Sequence, residues 1–230
     1  MNIAAIAIIL TLLLLLMLMW RRWRRSIRAD YIRTYTFPPA LYDKLRKRRP
    51  ELSLKDCQLA GRGLRQFFLA YLQGGCRYVS MPSQVVDDLW HEHILYTRHY
   101  DAFCKKAFGR FLHHTPAVVL SRDRQNNSGL RRVWWQTCRE ENIDPRKPSR
   151  LPLLFAIDKK LNIADGFVYA PDCRSLQRSD SYGSTPHCGG DFSSTDFDGS
   201  TDGFGDGAEG GDGGDSDSGD GGCGGGCGGD

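Results

Sequence analysis

An uninterrupted apolar run near the amino terminus constrains this chain more than any other feature. Residues 3–20 carry one hydroxyl, on Thr11, and no charge. At about 1.5 Å per residue, a helix of this length measures roughly 27 Å, close to the hydrocarbon core of a bilayer. Backbone polar groups in lipid must bond within their own segment, so the run has to be helical. We therefore expect residues 1–20 to form a transmembrane helix.

The residues that follow indicate how this helix is oriented. Arg21, Arg22, Arg24 and Arg25 come directly after the run and flank Trp23. Excess arginine marks the cytoplasmic side of a span, and tryptophan favours the interface. The sequence thus predicts a single pass, with the amino terminus outside, the carboxyl terminus in the cytoplasm and the four arginines on lipid headgroups. In a bacterium this would be the inner membrane. A cleaved signal peptide is the alternative, but the run lacks a basic n-region and a small-residue cleavage site.

Charge divides the rest of the chain into unlike parts. Residues 31–179 carry 26 basic and 14 acidic side chains, whereas residues 180–230 carry 12 acidic side chains, no Lys or Arg, and 19 of the 26 glycines. Such a polar segment cannot bury enough apolar surface to order itself, so residues 180–230 are predicted to be a disordered acidic Gly/Asp-rich tail. Between the anchor and the tail we expect a basic juxtamembrane stalk at 21–37 and one small domain at 38–170.

Helical periodicity dominates the predicted domain. Ser53 and Asp56 have the spacing of a capping box, and the apolar pattern that follows them ends before Gly74. Strict alternation of apolar and polar residues is scarce, which disfavours a sheet. The chain is therefore predicted to be all-α.

A second long apolar pattern starts near Pro82. Ser80 is its expected N-cap, Thr97 could cap a second helix inside it, and Gly109 is the expected stop. Shorter elements follow: predicted helices at 130–141 and 152–161, and a brief extended piece at 166–170.

Five of the six histidines lie between residues 87 and 114. Asp87 and His91 are four residues apart and share one face of a helix, and Cys104 and His113 follow at distances that a turn could bring back. Aspartate, histidine and cysteine are all zinc ligands. Asp87, His91, Cys104 and His113 are thus a candidate metal site, with zinc as the candidate cofactor. His93 would point away from His91 by about 200°.

A purely structural role for these residues stays open. The cluster has no C-x-x-C pair and no H-E-x-x-H motif. Histidines on amphipathic helices often bond within the core, and Cys104 next to Phe103 is typical of a small buried hydrophobe. Disulfides are not expected in a reducing cytosol. Cys223 and Cys227 in the tail are a second candidate for a soft metal.

The cluster also resembles a known family. A D-x-x-W-H-x-H motif at residues 87–93 precedes Tyr100, Cys104, Gly109 and His113. This order is similar to the glycine-rich domain-containing protein-like family, which includes plant members with glycine-rich extensions and small bacterial members. The resemblance implies a mostly helical domain and no established catalytic residues. It also implies that one unit is formed by Asp87, Trp90, His91, His93, Cys104 and His113.

Three functions follow from different classes. The leading one is a non-enzymatic, membrane-anchored interaction module with a protein partner that the sequence does not identify. The alternative is a zinc-dependent hydrolase or metal-binding protein that uses the cluster at 87–114, with Glu92 as the base. The third is binding of nucleic acid or anionic lipid by the KLRKRR segment at 44–49 together with Arg62, Arg65 and Arg77. Juxtamembrane arginines usually hold lipid headgroups, so lipid is favoured over nucleic acid.

The predicted orientation places all eight cysteines inside the cell. We expect a membrane-impermeant maleimide to leave the chain unlabelled in intact cells and to label it after lysis, with Cys223 and Cys227 as the reporting thiols. Labelling before lysis would show that the orientation is the opposite of the predicted one.

Overall fold

A computed structural model of the chain describes residues 3–114, 124–171 and 187–188. The predicted tail at 180–230 therefore lies outside the described residues, apart from two positions. Within the described part, the all-α prediction is confirmed. The helices are α1 (Ile3–Thr34), α2 (Pro39–Arg48), α3 (Leu54–Gln73), α4 (Gln84–Leu95), α5 (Thr97–Ala107), α6 (Arg124–Glu140) and α7 (Leu153–Lys160). Strands β1 (Tyr169–Ala170) and β2 (His187–Cys188) pair in parallel.

Helix α1 has a surface suited to lipid at one end and a surface suited to a protein core at the other. Its most apolar 18-residue window has a mean hydropathy of 2.9 and none of it is buried, so α1 is long and apolar enough to cross a membrane. The helix does not stop at the arginines. It continues to Thr34, where Ala29 and Ile32 are buried in the domain core. The predicted stalk is thus helical up to residue 34, and its last turns are part of the folded unit.

Polar contacts fasten this end of α1 to the domain. The guanidinium of Arg28 donates to the carbonyl of Phe108 at 2.9 Å, beside the carboxyl end of α5. Arg33 makes two hydrogen bonds to the carboxylate of Glu140 in α6, at 2.8 and 3.0 Å. A bidentate arginine–carboxylate pair fixes direction as well as distance. The end of α1 is therefore held from two sides.

Helix α3 is the centre of the packing and contacts α1, α2, α4, α6 and α7. Its predicted capping box is confirmed: Ser53 Oγ accepts from the Asp56 amide, and the Asp56 carboxylate accepts from the Ser53 amide. Gly63 allows α4 to pack close to α3, because a Cβ at this position would lie only 2.9 Å from Cγ2 of Val86. This contact turns the Val86 side of α4 inward and leaves Asp87 half-buried at the surface.

The start of the second apolar segment differs from the prediction. Helix α4 begins at Gln84 and its N-cap is Ser83, not Ser80, because Ser83 has an extended backbone and its hydroxyl accepts from the Val86 amide. The segment does divide into two helices, since α4 ends at Leu95 and α5 begins at Thr97. Thr97 is not the cap, however: it is the first residue of α5, and the N-cap position is Tyr96, whose side chain makes no capping hydrogen bond. Gly109 is confirmed as the stop: it has a φ of +74° directly after the C-cap of α5.

The later elements agree with the sequence in type. Helix α6 begins six residues before the predicted start at 130, and α7 lies within the predicted span of 152–161. The extended piece expected at 166–170 contains β1. The ends of helices often differ from a sequence prediction by a few residues, because the ends fray and their extent depends on tertiary contacts.

A buried carboxylate from α7 holds the start of α4. Asp158 is 2% exposed and accepts hydrogen bonds from the Ser83 hydroxyl and from the backbone amides of Gln84, Val85 and Phe167. Negative charge at a helix amino terminus is favourable, and these amides have no helical acceptor. Asp158 thereby positions α4, the helix that carries Asp87 and His91.

Replacing Asp158 with Ala should lower the free energy of unfolding by about 3 kcal/mol, because buried donors lose their acceptor. Urea titration of the full-length chain in detergent measures this loss. The matched control is Asp101→Ala, which removes an exposed ion pair with Lys105 and should cost less than about 0.5 kcal/mol. Equal losses in the two variants would contradict the proposed role of Asp158.

Candidate metal site and membrane-proximal arginines

Asp87, His91 and His114 come together on the surface of the domain. Nε2 of His114 lies 2.9 Å from Oδ1 of Asp87, and Nδ1 of His91 lies 3.6 Å from Oδ2 of the same carboxylate. The ring centroids of the two histidines are 4.2 Å apart. One ligand atom from each of the three residues lies within 4.8 Å of the other two. Such a group of two imidazoles and one carboxylate can hold a divalent metal ion.

Two elements build this group. Asp87 and His91 are one turn apart on α4, which places both on the same face. His114 comes from the segment after α5, which has no regular secondary structure over residues 111–114. The Trp90 ring, between the two α4 residues in sequence, packs against the His114 ring at 4.6 Å.

The Tyr100 hydroxyl fixes the segment that carries His114. It donates to the carbonyl of Leu112 at 2.6 Å and accepts from the indole N–H of Trp90 at 3.1 Å. All three groups are buried, so these bonds are shielded from water. The chain path two residues before His114 is thus tied to α4 and α5 by one hydroxyl.

The assembled group differs from the predicted set in two members. Asp87 and His91 meet as expected, but His114 occupies the place expected for His113. Successive side chains of an extended segment point to opposite sides: Leu112 is buried and His114 half-buried, whereas His113 is exposed and packs against Phe111. The sequence signal that could have selected His114 is the apolar Leu112 two positions before it. An apolar residue is expected to face the core, and side chains two apart in an extended segment point to the same side.

Cys104 is the second difference. It is fully buried in the core, and it is not among the residues whose ligand atoms converge. Burial raises the pKa of its thiol, which favours the neutral form. A thiol held protonated in the core is neither a nucleophile nor a metal ligand. The structure gives Cys104 the core role that its aromatic neighbours indicated.

His93 faces away from the metal-ligand group, as the helical spacing predicts. It is 0% exposed and lies among the rings of Tyr35, Phe37, Tyr100 and Phe103. Burial lowers the pKa of His93 to about 4, with a smaller contribution from His99. His93 is therefore a neutral core residue at physiological pH.

Glu92, the base of the predicted hydrolase alternative, lies away from the group. Its carboxylate pairs with the ammonium group of Lys44 in α2 at 3.7 Å. A position one residue after His91 is rotated by about 100° around the helix, which directs Glu92 toward α2 instead.

The predicted lipid-contacting arginines lie on the solvent-exposed part of α1. Arg21, Arg22, Arg24 and Arg25 are all exposed. The guanidinium of Arg24 lies 4.8 Å from the ring centroid of Trp20, a cation–π contact that holds it at the end of the apolar run.

A cavity of about 260 Å³ lies beside these arginines. Three of them line it, together with Arg28, with Leu72 near the end of α3 and with Cys76 of the loop that follows, whereas Arg22 does not. The lining residues of α1 recur at a spacing of three and four, so they share one face of the helix. The arginines and the loop after α3 thus form one concave, positively charged surface.

The sequence profile of the UCP032817-like family matches residues 27–192. The chain belongs to the UCP032817-like family. The match covers more than two thirds of the 230 residues and begins inside α1, after the arginines. No curated protein and no solved structure matches the chain. The finer resemblance to glycine-rich domain-containing proteins stays a prediction, because the family description mentions no such domain.

The extent of the family match agrees with the packing of α1. It includes Ala29 and Ile32, which are buried in the core, and leaves out the apolar run before Trp20. Asp87, His91 and His114 all fall inside the family region.

Protonation of His93 should destabilise the fold in weak acid. Above pH 6.5 the ring is neutral in both states; as the pH falls toward 4, the unfolded chain takes up the proton first. We expect the free energy of unfolding to fall by about 3 kcal/mol across this range, since one pKa unit corresponds to about 1.4 kcal/mol. A His93→Phe variant should lack this component. Urea titrations between pH 7 and pH 4 measure the difference, and parallel curves for the two proteins would contradict it.

Proposed function

We propose that this protein is a single-pass membrane protein that holds a helical, non-enzymatic interaction domain against the cytoplasmic face of the membrane. The observation that carries this proposal is the continuity of α1. One helix runs from an exposed apolar segment into the core of the domain, where Ile32 is fully buried. A membrane segment built in this way fixes the distance and the direction of the domain relative to the bilayer.

The packing of α1 favours a retained anchor over a cleaved signal peptide. Cleavage after a signal peptide requires an accessible, extended segment, whereas residues 21–34 are helical. The end of the helix is bonded to Phe108 and to Glu140. The anchor and the domain are therefore parts of one folded structure.

The arginine surface supports contact with anionic lipid headgroups. Arg21, Arg24 and Arg25 lie directly after the apolar run and line a shared cavity. Guanidinium groups bind phosphate in a bidentate manner, and each basic residue near an anionic surface contributes about 1 kcal/mol. In this orientation, headgroups of the inner leaflet would fill the space between α1 and the loop at Cys76.

Nucleic-acid binding by the KLRKRR segment has less support. Lys44 pairs with Glu92, and Arg48 and Arg49 both pair with Asp88. Arg49 also binds Asp165 through two hydrogen bonds. These ion pairs are internal to the domain, so much of the positive charge on this segment is already neutralised.

The hydrolase alternative also has less support. It requires a base beside the metal ligands, and Glu92 is paired with Lys44 instead.

Substitution of Arg24 and Arg25 by Gln should weaken the preference of the anchor for anionic lipid. Quenching of the interfacial tryptophans by brominated phosphatidylglycerol, relative to brominated phosphatidylcholine, measures that preference for the full-length protein in vesicles. We expect a decrease of about thirtyfold, since two headgroup contacts of about 1 kcal/mol each are lost and 1.4 kcal/mol corresponds to about tenfold. The difference should shrink as salt screens the charges.

The matched control is Arg46→Gln with Lys47→Gln, which removes the same charge from α2. This variant should retain the lipid preference of the original protein, and an equal loss in both variants would reject the arginine surface. The intact mass of protein extracted from membranes tests the anchor itself. A mass of 25.9 kDa is expected for the whole chain, and a shorter product would reveal a cleaved signal peptide.

A further inference from the structure

We infer that Asp87, His91 and His114 bind one divalent transition-metal ion of the zinc class at the surface of the domain. This binding site is separate from the arginine surface and goes beyond a role as a membrane-anchored interaction module. Two imidazole nitrogens and one carboxylate oxygen form a borderline-soft donor set, which suits zinc rather than magnesium or calcium.

The distances within the group fit a single ion. Two ligand atoms bound to one tetrahedral zinc lie about 3.4 Å apart, because each is about 2.0–2.2 Å from the metal. The observed nitrogen–oxygen distances of 2.9 and 3.6 Å lie on either side of that value. These two distances go to different oxygens of the carboxylate, and with one atom from each residue all three atoms lie within 4.8 Å of one another, so the side chains would close in slightly around the ion.

The group is also prepared for binding by its surroundings. His114 is held by an edge-to-face contact with the Trp90 ring and by the Tyr100 bond to the Leu112 carbonyl. Asp87 lies in the first turn of α4, whose start is fixed by Asp158. Ligands whose positions are set by supporting hydrogen bonds lose less freedom on binding, which raises affinity.

Exposure across the group leaves room for a fourth ligand. The side chain of His114 is 12% exposed and that of Asp87 20%, whereas that of His91 is 40% exposed. Three protein ligands with one side open to solvent are the arrangement in which zinc keeps a water molecule or binds an external group. The fourth position is thus available to water or to an anionic group of a partner.

A hydrogen-bonded triad without metal is the competing interpretation. The ionised carboxylate of Asp87 accepts only, so the Nε2–H group of His114 would donate to it. Metal binding through Nε2 would replace this proton and break the hydrogen bond to Asp87. The two interpretations therefore differ in a measurable way.

The test uses full-length protein in detergent micelles, stripped with a chelator and with accessible thiols blocked by N-ethylmaleimide. Blocking the thiols removes competition from Cys223 and Cys227. Isothermal titration with Zn²⁺, and elemental analysis after desalting, should give one ion per chain. Zinc should also raise the melting temperature, because it binds the folded state.

His114→Ala and Asp87→Asn should each lower zinc affinity by about tenfold or more, whereas His113→Ala and His99→Ala should leave it unchanged. His113 is the adjacent residue and His99 an exposed histidine on α5, so both controls keep the overall fold. Circular dichroism verifies that all four variants are folded, and Asp87→Asn preserves side-chain shape. Cobalt substitution should give visible d–d bands without thiolate charge-transfer absorption.

Two results would overturn the inference. One is a thiol-blocked protein that binds no zinc at micromolar concentration. The other is an equal loss of affinity in the His113→Ala and His114→Ala variants.

Discussion

Helix α1 has an exposed apolar surface suited to lipid at one end and packs into the protein core at the other, and the rest of the structure depends on this continuity. In lipid, the backbone of α1 can bond only to itself, which requires an unbroken helix. At its other end the same helix buries Ile32 and fastens Arg33 to Glu140. Because the helix does not break between these regions, the proposed anchor would restrict rotation of the domain below the membrane. In that proposal the arginine surface and the loop after α3 lie near the lipid headgroups.

The motif at residues 87–93 combines three roles that the structure separates. Asp87 and His91 face outward and belong to the candidate metal site. Trp90 is buried, and it packs against His114 and donates to Tyr100. His93 lies in the core among aromatic rings. One helix of 3.6 residues per turn distributes these neighbours around its axis, so residues close in sequence reach different environments.

Ion pairs explain why a basic segment is not automatically a binding surface. Arg49 bridges Asp88 and Asp165, and its side chain is largely buried. These pairs raise its pKa and lower that of Asp165. By contrast, Arg21 and Arg25 are exposed and follow directly after the apolar run of α1. Location beside lipid, more than the number of charges, gives the α1 arginines their proposed role.

Several features follow from the sequence by itself. The apolar run predicts a helix of membrane length, and local spacing is enough to predict the capping box at Ser53, the division of the second apolar segment into two helices and the stop at Gly109, all of which are confirmed. The pairing of Asp87 with His91 is likewise a one-turn relation along α4. Each of these depends on interactions within a few residues, which hydrophobic periodicity and backbone preferences encode directly.

Only the tertiary structure decided the third member of the metal-ligand group and the fate of Cys104. His113 and His114 are adjacent, and the choice between them depends on which side of the segment Leu112 buries against the core. Ser83 replaced Ser80 as the cap of α4 for a similar reason, since Asp158 arrives there from α7. These outcomes rest on contacts between residues far apart in the chain, and local periodicity carries no information about such contacts.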